Sequence, residues 1–142
     1  FSVAIDGGLA TANASAWYNR VAGDSQTDSG FNLIIYAFAG SPASYLTQLI
    51  NGTWLDSSSG GVITGGDAAR WEQGSTSLLL PAGTDFLSLR IMAVENIFND
   101  GTMPEFDGHY ADATYLDIDV IPEPATLGLL LVGGLAMLRR RQ

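Results

Sequence analysis

The sequence predicts an all-β fold, a jelly-roll-like β-sandwich over residues 1–120, followed by a separate segment over residues 121–142. Three observations point there. Apolar and polar residues alternate in short runs, as where Leu116, Ile118 and Val120 interleave with Asp117 and Asp119, the pattern of a strand with one buried face. Turn-forming clusters such as Asp6-Gly7-Gly8, Asn51-Gly52 and Pro81-Ala82-Gly83-Thr84 divide those runs at the spacing of a sandwich. After residue 121 the alternation stops and an apolar run without polar face takes over.

In chain order, Phe1, Val3 and Ile5 alternate like a strand that Asp6-Gly7-Gly8 turns. Residues 10–22 form a weaker strand region, with Trp17 and Tyr18 as its bulk. Residues 24–30 are a polar loop whose Asp24 and Asp28 lack the alternating acidic spacing of a calcium loop. Residues 31–38, Phe-Asn-Leu-Ile-Ile-Tyr-Ala-Phe, are apolar on both faces and predict a central strand covered on both sides. Ser41-Pro42 supplies an N-cap with Pro at the first helical position, Tyr45, Leu46, Leu49 and Ile50 follow at helical spacing, and Asn51-Gly52 closes one short helix.

Residues 53–66 alternate loosely around Trp54, Val62 and Ile63, interrupted by the Ser/Gly run 57–61. Residues 71–80 read as a strand, 81–84 as a turn, and 86–95 as a strand with Leu87, Leu89, Ile91 and Ala93 on one face. After a loop over 99–108, the last strand spans 110–120, with Leu116, Ile118 and Val120 inward and Asp117 and Asp119 outward. The chain opens at Phe1 without a signal peptide, which predicts a fragment lacking that peptide and one or two strands.

Composition narrows the function classes. There is no cysteine, so no disulfide framework and no Cys-ligated metal site exists. There is no lysine, and residues 1–121 hold fourteen acids against three arginines, a net charge near −11. That charge argues against nucleic acid and anionic membrane as partners of the body. The single histidine, His109, excludes a His-rich metal site. No Gly-x-Ser-x-Gly elbow accompanies it, and among fourteen acids no carboxylate pair stands out for glycoside hydrolysis. The body is therefore expected not to be an enzyme.

The last residues have three parts: Pro122-Glu123-Pro124, an apolar run, and Arg139-Arg140-Arg141. The prolines fix φ and hold the chain extended as it leaves the body. Residues 127–138 contain no polar side chain, and Leu127, Leu129, Leu130, Leu131, Val132, Leu135 and Leu138 supply the bulk of a hydrophobic helix. From Ala125 to Leu138 the run is fourteen residues, about 21 Å as a helix against a hydrocarbon core of about 30 Å. Such a length suits a transient transmembrane anchor. The arginines stay on the cytoplasmic side, which places the body across the membrane, in the periplasm.

With these three parts in order at the C-terminus, the tail resembles the PEP-CTERM sorting signal. The resemblance implies an exosortase, an integral-membrane cysteine protease, as the partner that recognises and cleaves the signal. It implies export, transient residence in the inner membrane, and delivery to the cell surface or the extracellular matrix. It covers the tail and transfers only a destination to the body.

A second resemblance lies in the order Trp71, Leu78-Leu79-Leu80-Pro81-Ala82-Gly83-Thr84, Phe86, Asp107-Gly108-His109-Tyr110-Ala111-Asp112, Leu116-Asp117-Ile118. It is similar to the C-terminal half of galactose-binding-like jelly rolls, including carbohydrate-binding modules. Such folds often carry a structural Ca²⁺ bridging the first and last strands, and the resemblance carries over to Asp112. As carboxylates, Asp107 and Asp112 are both candidate Ca²⁺ ligands, although an Asp-Gly pair also simply makes a turn and a lone Asp at a strand start is usually solvated. Trp17, Trp54 and Trp71 are candidate stacking platforms for sugar rings, though a Trp in a small sandwich is more often core. The expectation is an exported surface or matrix protein that binds carbohydrate or exopolysaccharide. The alternatives are a purely structural surface protein and, further off, a glycosidase or lyase. Binding predicts at least two exposed aromatics near Asp, Asn or Arg side chains.

Overall fold

The computed structural model describes residues 2–20, 29–65, 67, 69–95 and 109–121. Among them, helix α1 (Ser2–Asp6) precedes strand β1 (Ala10–Arg20), and β2 (Ser29–Phe38) leads through a 3-10 turn (Pro42–Ser44) into helix α2 (Tyr45–Asn51). Strands β3 (Asp56–Thr64), β4 (Glu72–Leu79), β5 (Phe86–Glu95) and β6 (His109–Val120) follow. They form two antiparallel three-stranded sheets, β4-β1-β6 and β3-β2-β5. The mostly-β architecture expected from the alternation is what the described residues adopt.

The core lies between the sheets and is built from unequal residues. The inward face of β1 is a stripe of Ala10, Ala12, Ala14 and Ala16 that ends in the fully buried Tyr18. Facing it, β2 supplies the larger Phe31, Leu33 and Ile35. Small side chains on one sheet let large ones on the other fill the gap, and Tyr18 stacks on Phe31 at 4.7 Å. The sheets meet most closely where β3 runs beside β4. There the Ser58 and Thr76 hydroxyls hydrogen-bond at 2.8 Å, and a β-carbon on Gly60 would overlap the Ser75 carbonyl oxygen.

That close approach corrects one expectation. The Ser/Gly run 57–61 does not interrupt a strand but lies within β3. Gly60 meets the β4 backbone, and a β-carbon on Gly61 would lie 2.8 Å from the Phe31 carbonyl oxygen. These glycines are strand residues because another backbone needs their space. A second correction concerns the start. Ser2–Asp6 is a helical turn, not a strand. Gly8 adopts φ +69 and donates to the Ile5 carbonyl, while Leu9 donates to that of Ala4, so the Gly-Gly pair closes a helix instead of a hairpin. Alternation over five residues is too short to separate the two periods.

The remaining elements follow their signals. Ser41 Oγ accepts from the Ala43 amide, and Gly52 closes α2 in the left-handed region by donating to Gln48 and Leu49. The apolar stripe of α2 is only partly used: Leu46 and Ile50 are exposed. The helix covers one end of the outer face of the second sheet, where Phe38 meets Tyr45 and Phe86, and Tyr36 meets Trp54. The central β2 is thus covered on both faces there, as its sequence requires. Leu87, Leu89, Ile91 and Ala93 stand opposite Ala37, Ile35, Leu33 and Phe31. Leu116, Ile118 and Val120 pair with Ala14, Ala12 and Ala10, but on this edge strand they remain 38–40 % exposed, which corrects the expectation that they are buried and the acids between them outermost.

Candidate functional site: the outer face of the first sheet

No helix covers the outer face of sheet β4-β1-β6 among the described residues. Its side chains follow from register and the alternation of β1, where Thr11, Asn13, Ser15 and Trp17 point away from the buried alanines, and the alternation of exposure ends there because Asn19 is itself buried. Thr11 lies between Asp119 and Leu79, Asn13 between Asp117 and Ser77, Ser15 between Tyr115 and Ser75, and Trp17 between Asp112 and Gln73. Asn19 pairs with Tyr110, and Trp71, the residue before β4, falls next in register on its other side.

This face gathers four large aromatics: Trp17 and Trp71 are each 40 % exposed, Tyr110 50 % and Tyr115 58 %. None stacks on another ring or hydrogen-bonds through its side chain among the described residues. The contrast with the other sheet is sharp, since Tyr36, Phe38, Tyr45, Trp54 and Phe86 are all locked into ring contacts of 4.9–6.1 Å. Trp54 is therefore a packing residue under α2, whereas Trp17 and Trp71 present their rings to solvent. Sequence reasoning named both but missed Tyr110 and Tyr115. Their positions beside Trp17 depend on a β1–β6 register that the sequence alone does not reveal.

The polar residues between the rings are partly pre-arranged. Ser77 donates to Asn13 Oδ1 at 2.8 Å, and Asn13 Nδ2 donates to Asp119 Oδ2 at 3.0 Å, a chain across all three strands. Asp117 Oδ1, beside Asn13, has no partner among the described residues. Asp112 Oδ1 accepts from the Ala113 amide at 2.6 Å, at a bulge where Ala113 takes φ 46.

Asp112 is thus exposed and turned onto its own backbone, and Asp107 lies outside the described residues. Among the described residues no group of three or more His, Asp or Glu could hold a metal ion. Most of the other described carboxylates serve turns: Asp6 accepts from Gly83, Asp85 from Gly40, Asp56 from Ser57, Asp67 from Ala69 and Glu72 from Gly65. His109 begins β6, partly buried, with its ring 5.8 Å from Phe31. A second concavity, an open cleft of about 280 Å³, is lined by Pro42, Tyr45, Phe86, Leu87 and Ser88. Its two rings are already committed to Phe38.

The fold and this face define a small two-sheet β-sandwich with an aromatic outer surface. Residues 120–142 match the PEP-CTERM protein-sorting motif. The chain therefore carries a PEP-CTERM sorting signal, which implies an exported protein processed by an exosortase. Neither the curated proteins nor the solved structures yielded a match to the chain. Pro122-Glu123-Pro124, the apolar run 127–138, the arginines 139–141 and the loop with Asp24 and Asp28 lie outside the described residues. Among the described residues no helix is long and apolar enough to cross a membrane.

Proposed function

We propose that this is a non-enzymatic carbohydrate-binding protein of the cell surface or extracellular matrix, holding exopolysaccharide on the outer face of sheet β4-β1-β6. The six strands serve as the core of a jelly-roll-like sandwich. The tail inserts as a short helix, leaves the body on the periplasmic side, and is removed by the exosortase. The observation that supports binding is the set of four exposed aromatics without side-chain partners, interleaved with Asp, Asn, Gln and Ser on one sheet face. Ring faces stack on the C–H faces of sugars, and the polar groups between them take hydroxyls.

Tryptophan fluorescence of the full chain, in a polyoxyethylene detergent free of sugar, tests the proposal against a panel of soluble polysaccharides, with and without Ca²⁺. A saturable change that Trp17→Ala removes supports it, and silence across the panel favours a structural surface protein without ligand. Loss of binding on chelation would restore a Ca²⁺ site involving Asp112.

A further inference from the structure

Three of the four exposed rings fall on one straight line. Tyr115 stands on β6 level with Ser15, and Trp17 stands on the central β1 two residues on. Trp71 immediately precedes β4, whose last pair with β1 is Glu72 with Tyr18, so extending that register by one residue puts Trp71 level with Asn19. Each step moves one strand sideways and two residues along, in the same direction. With strands about 4.8 Å apart and about 3.4 Å per residue, each step is about 8 Å between Cα atoms. The row therefore crosses the sheet diagonally, over about 16 Å. Tyr110 lies off this line, level with Trp71 but on the opposite flanking strand.

A row of this kind is not a pocket. Polar residues lie on both sides of the line, Asp112 on one and Ser15 and Gln73 on the other, while Asn19 is buried. Such a surface fits an extended chain lying across it, not a single sugar or a chain terminus held in a cavity. The row of about 16 Å is longer than a disaccharide, so only a longer oligomer can reach all three rings. The charge restricts the ligand further. Asp112, Asp117 and Asp119 share the face, and among the described residues no arginine pairs into it. A polyuronate or sulfated glycan would be repelled there.

Building on the proposed function, we infer that the Tyr115–Trp17–Trp71 diagonal is a subsite row for internal stretches of a linear, uncharged, equatorially linked polysaccharide. Two features support the assignment beyond exposure. The bulge at Ala113 is what brings Tyr115 into line, because Asp112 and Tyr115 stand three apart on β6 and both face outward. Bulges commonly serve to re-aim a side chain. Farther along the same face, Ser77, Asn13 and Asp119 are fixed by hydrogen bonds across all three strands, which orders the sheet to one side of the row before any ligand arrives.

The test is a length series. β-1,4-linked glucose and N-acetylglucosamine oligomers, from monosaccharide to hexasaccharide, are titrated calorimetrically into the full chain in the same detergent, with an alginate hexamer as the anionic control. The row predicts affinity that rises with length and levels off only when the oligomer spans all three rings. Removing an end ring, by Trp71→Ala or Tyr115→Ala, weakens the hexamer about tenfold but leaves the disaccharide unchanged. Trp17→Ala weakens every length. Circular dichroism and melting of each variant confirm the fold. Trp17-dependent binding that is equal for monosaccharide and hexamer, or tighter for alginate, overturns the row while leaving carbohydrate binding intact. No binding of any oligomer or parent polysaccharide overturns both.

Discussion

Trp17 and Asp112 stand directly opposite each other across the β1–β6 ladder, at the position where its register shifts. On one side of the shift Ser15 pairs with Tyr115, and on the other Trp17 pairs with Asp112. Ala113 and Thr114 therefore oppose the single Ala16. In an unbroken strand, residues three apart face opposite ways. The extra residue is what keeps the aromatic and the carboxylate on one face beside the tryptophan.

The bulge carries backbone strain that can be measured. Ala113 adopts φ 46, where an L-residue pays a steric penalty of about 1–2 kcal/mol. Ala113→Gly removes that penalty but adds about 0.5–1 kcal/mol of chain entropy. Urea denaturation is expected to show a net gain of up to about 1 kcal/mol with glycan binding intact. A loss of stability would mean that the Ala113 methyl group packs where the bulge does not require it.

Tyr18 gives a pH dependence. Its ring is fully buried and stacked on Phe31, its hydroxyl has no partner among the described residues, and burial raises its pKa above the ordinary 10.0. The folded state thus holds the phenol's proton more tightly than the unfolded chain does. Stability from this group is full below the unfolded pKa and is lost as pH rises through it toward the folded value. Tyr18→Phe is expected to keep or raise stability at pH 7, since an unpartnered buried hydroxyl goes, and to remove part of the alkaline slope above pH 10. An unchanged slope would show that another group governs it.

Gly60 tests the seam between the sheets. A methyl group there would meet the Ser75 carbonyl and come within 3.3 Å of the Thr76 Cβ. Backbone cannot yield as a side-chain tip can, so Gly60→Ala is expected to cost about 2–3 kcal/mol by chemical denaturation. Gly40→Ala, with open space around it but φ +84, should lose less, about 1 kcal/mol, through conformation alone.

Processing should depend on the stiff motif. Replacing Pro122 and Pro124 with Ala lifts the φ restriction that a proline ring imposes on any chain. The expected result in exosortase-bearing cells is uncleaved precursor in the membrane fraction, read by mass on a gel. Cleavage at wild-type rate would place recognition elsewhere in the tail.

The strands were legible wherever alternation ran long. Phe86–Glu95 has the bounds its sequence predicts, whereas the alternation of β6 revealed a strand but not its burial, since Leu116, Ile118 and Val120 stay exposed on an edge strand. The helix at Tyr45–Asn51 was readable from Ser41, Pro42 and Gly52, which act locally. What was hidden depended on distant partners. Gly60 and Gly61 look like a break until the carbonyls of Ser75 and Phe31 explain them. The tryptophans looked alike, yet Trp54 packs on Tyr36 while Trp17 faces solvent. Only register distinguishes a ring that holds the fold from one that is offered to a ligand.

The most direct measurement sets those two tryptophans side by side. Trp17→Ala and Trp54→Ala are each melted and titrated calorimetrically with a neutral β-1,4-linked polysaccharide. Opposite signatures are expected: Trp17→Ala weakens binding at least tenfold with stability within about 0.5 kcal/mol of wild type, whereas Trp54→Ala loses about 2 kcal/mol of stability and binds normally where still folded. Binding that survives Trp17→Ala and fails with Trp54→Ala would contradict that expectation, and would move the site from the outer face of β4-β1-β6 to the cleft beside α2.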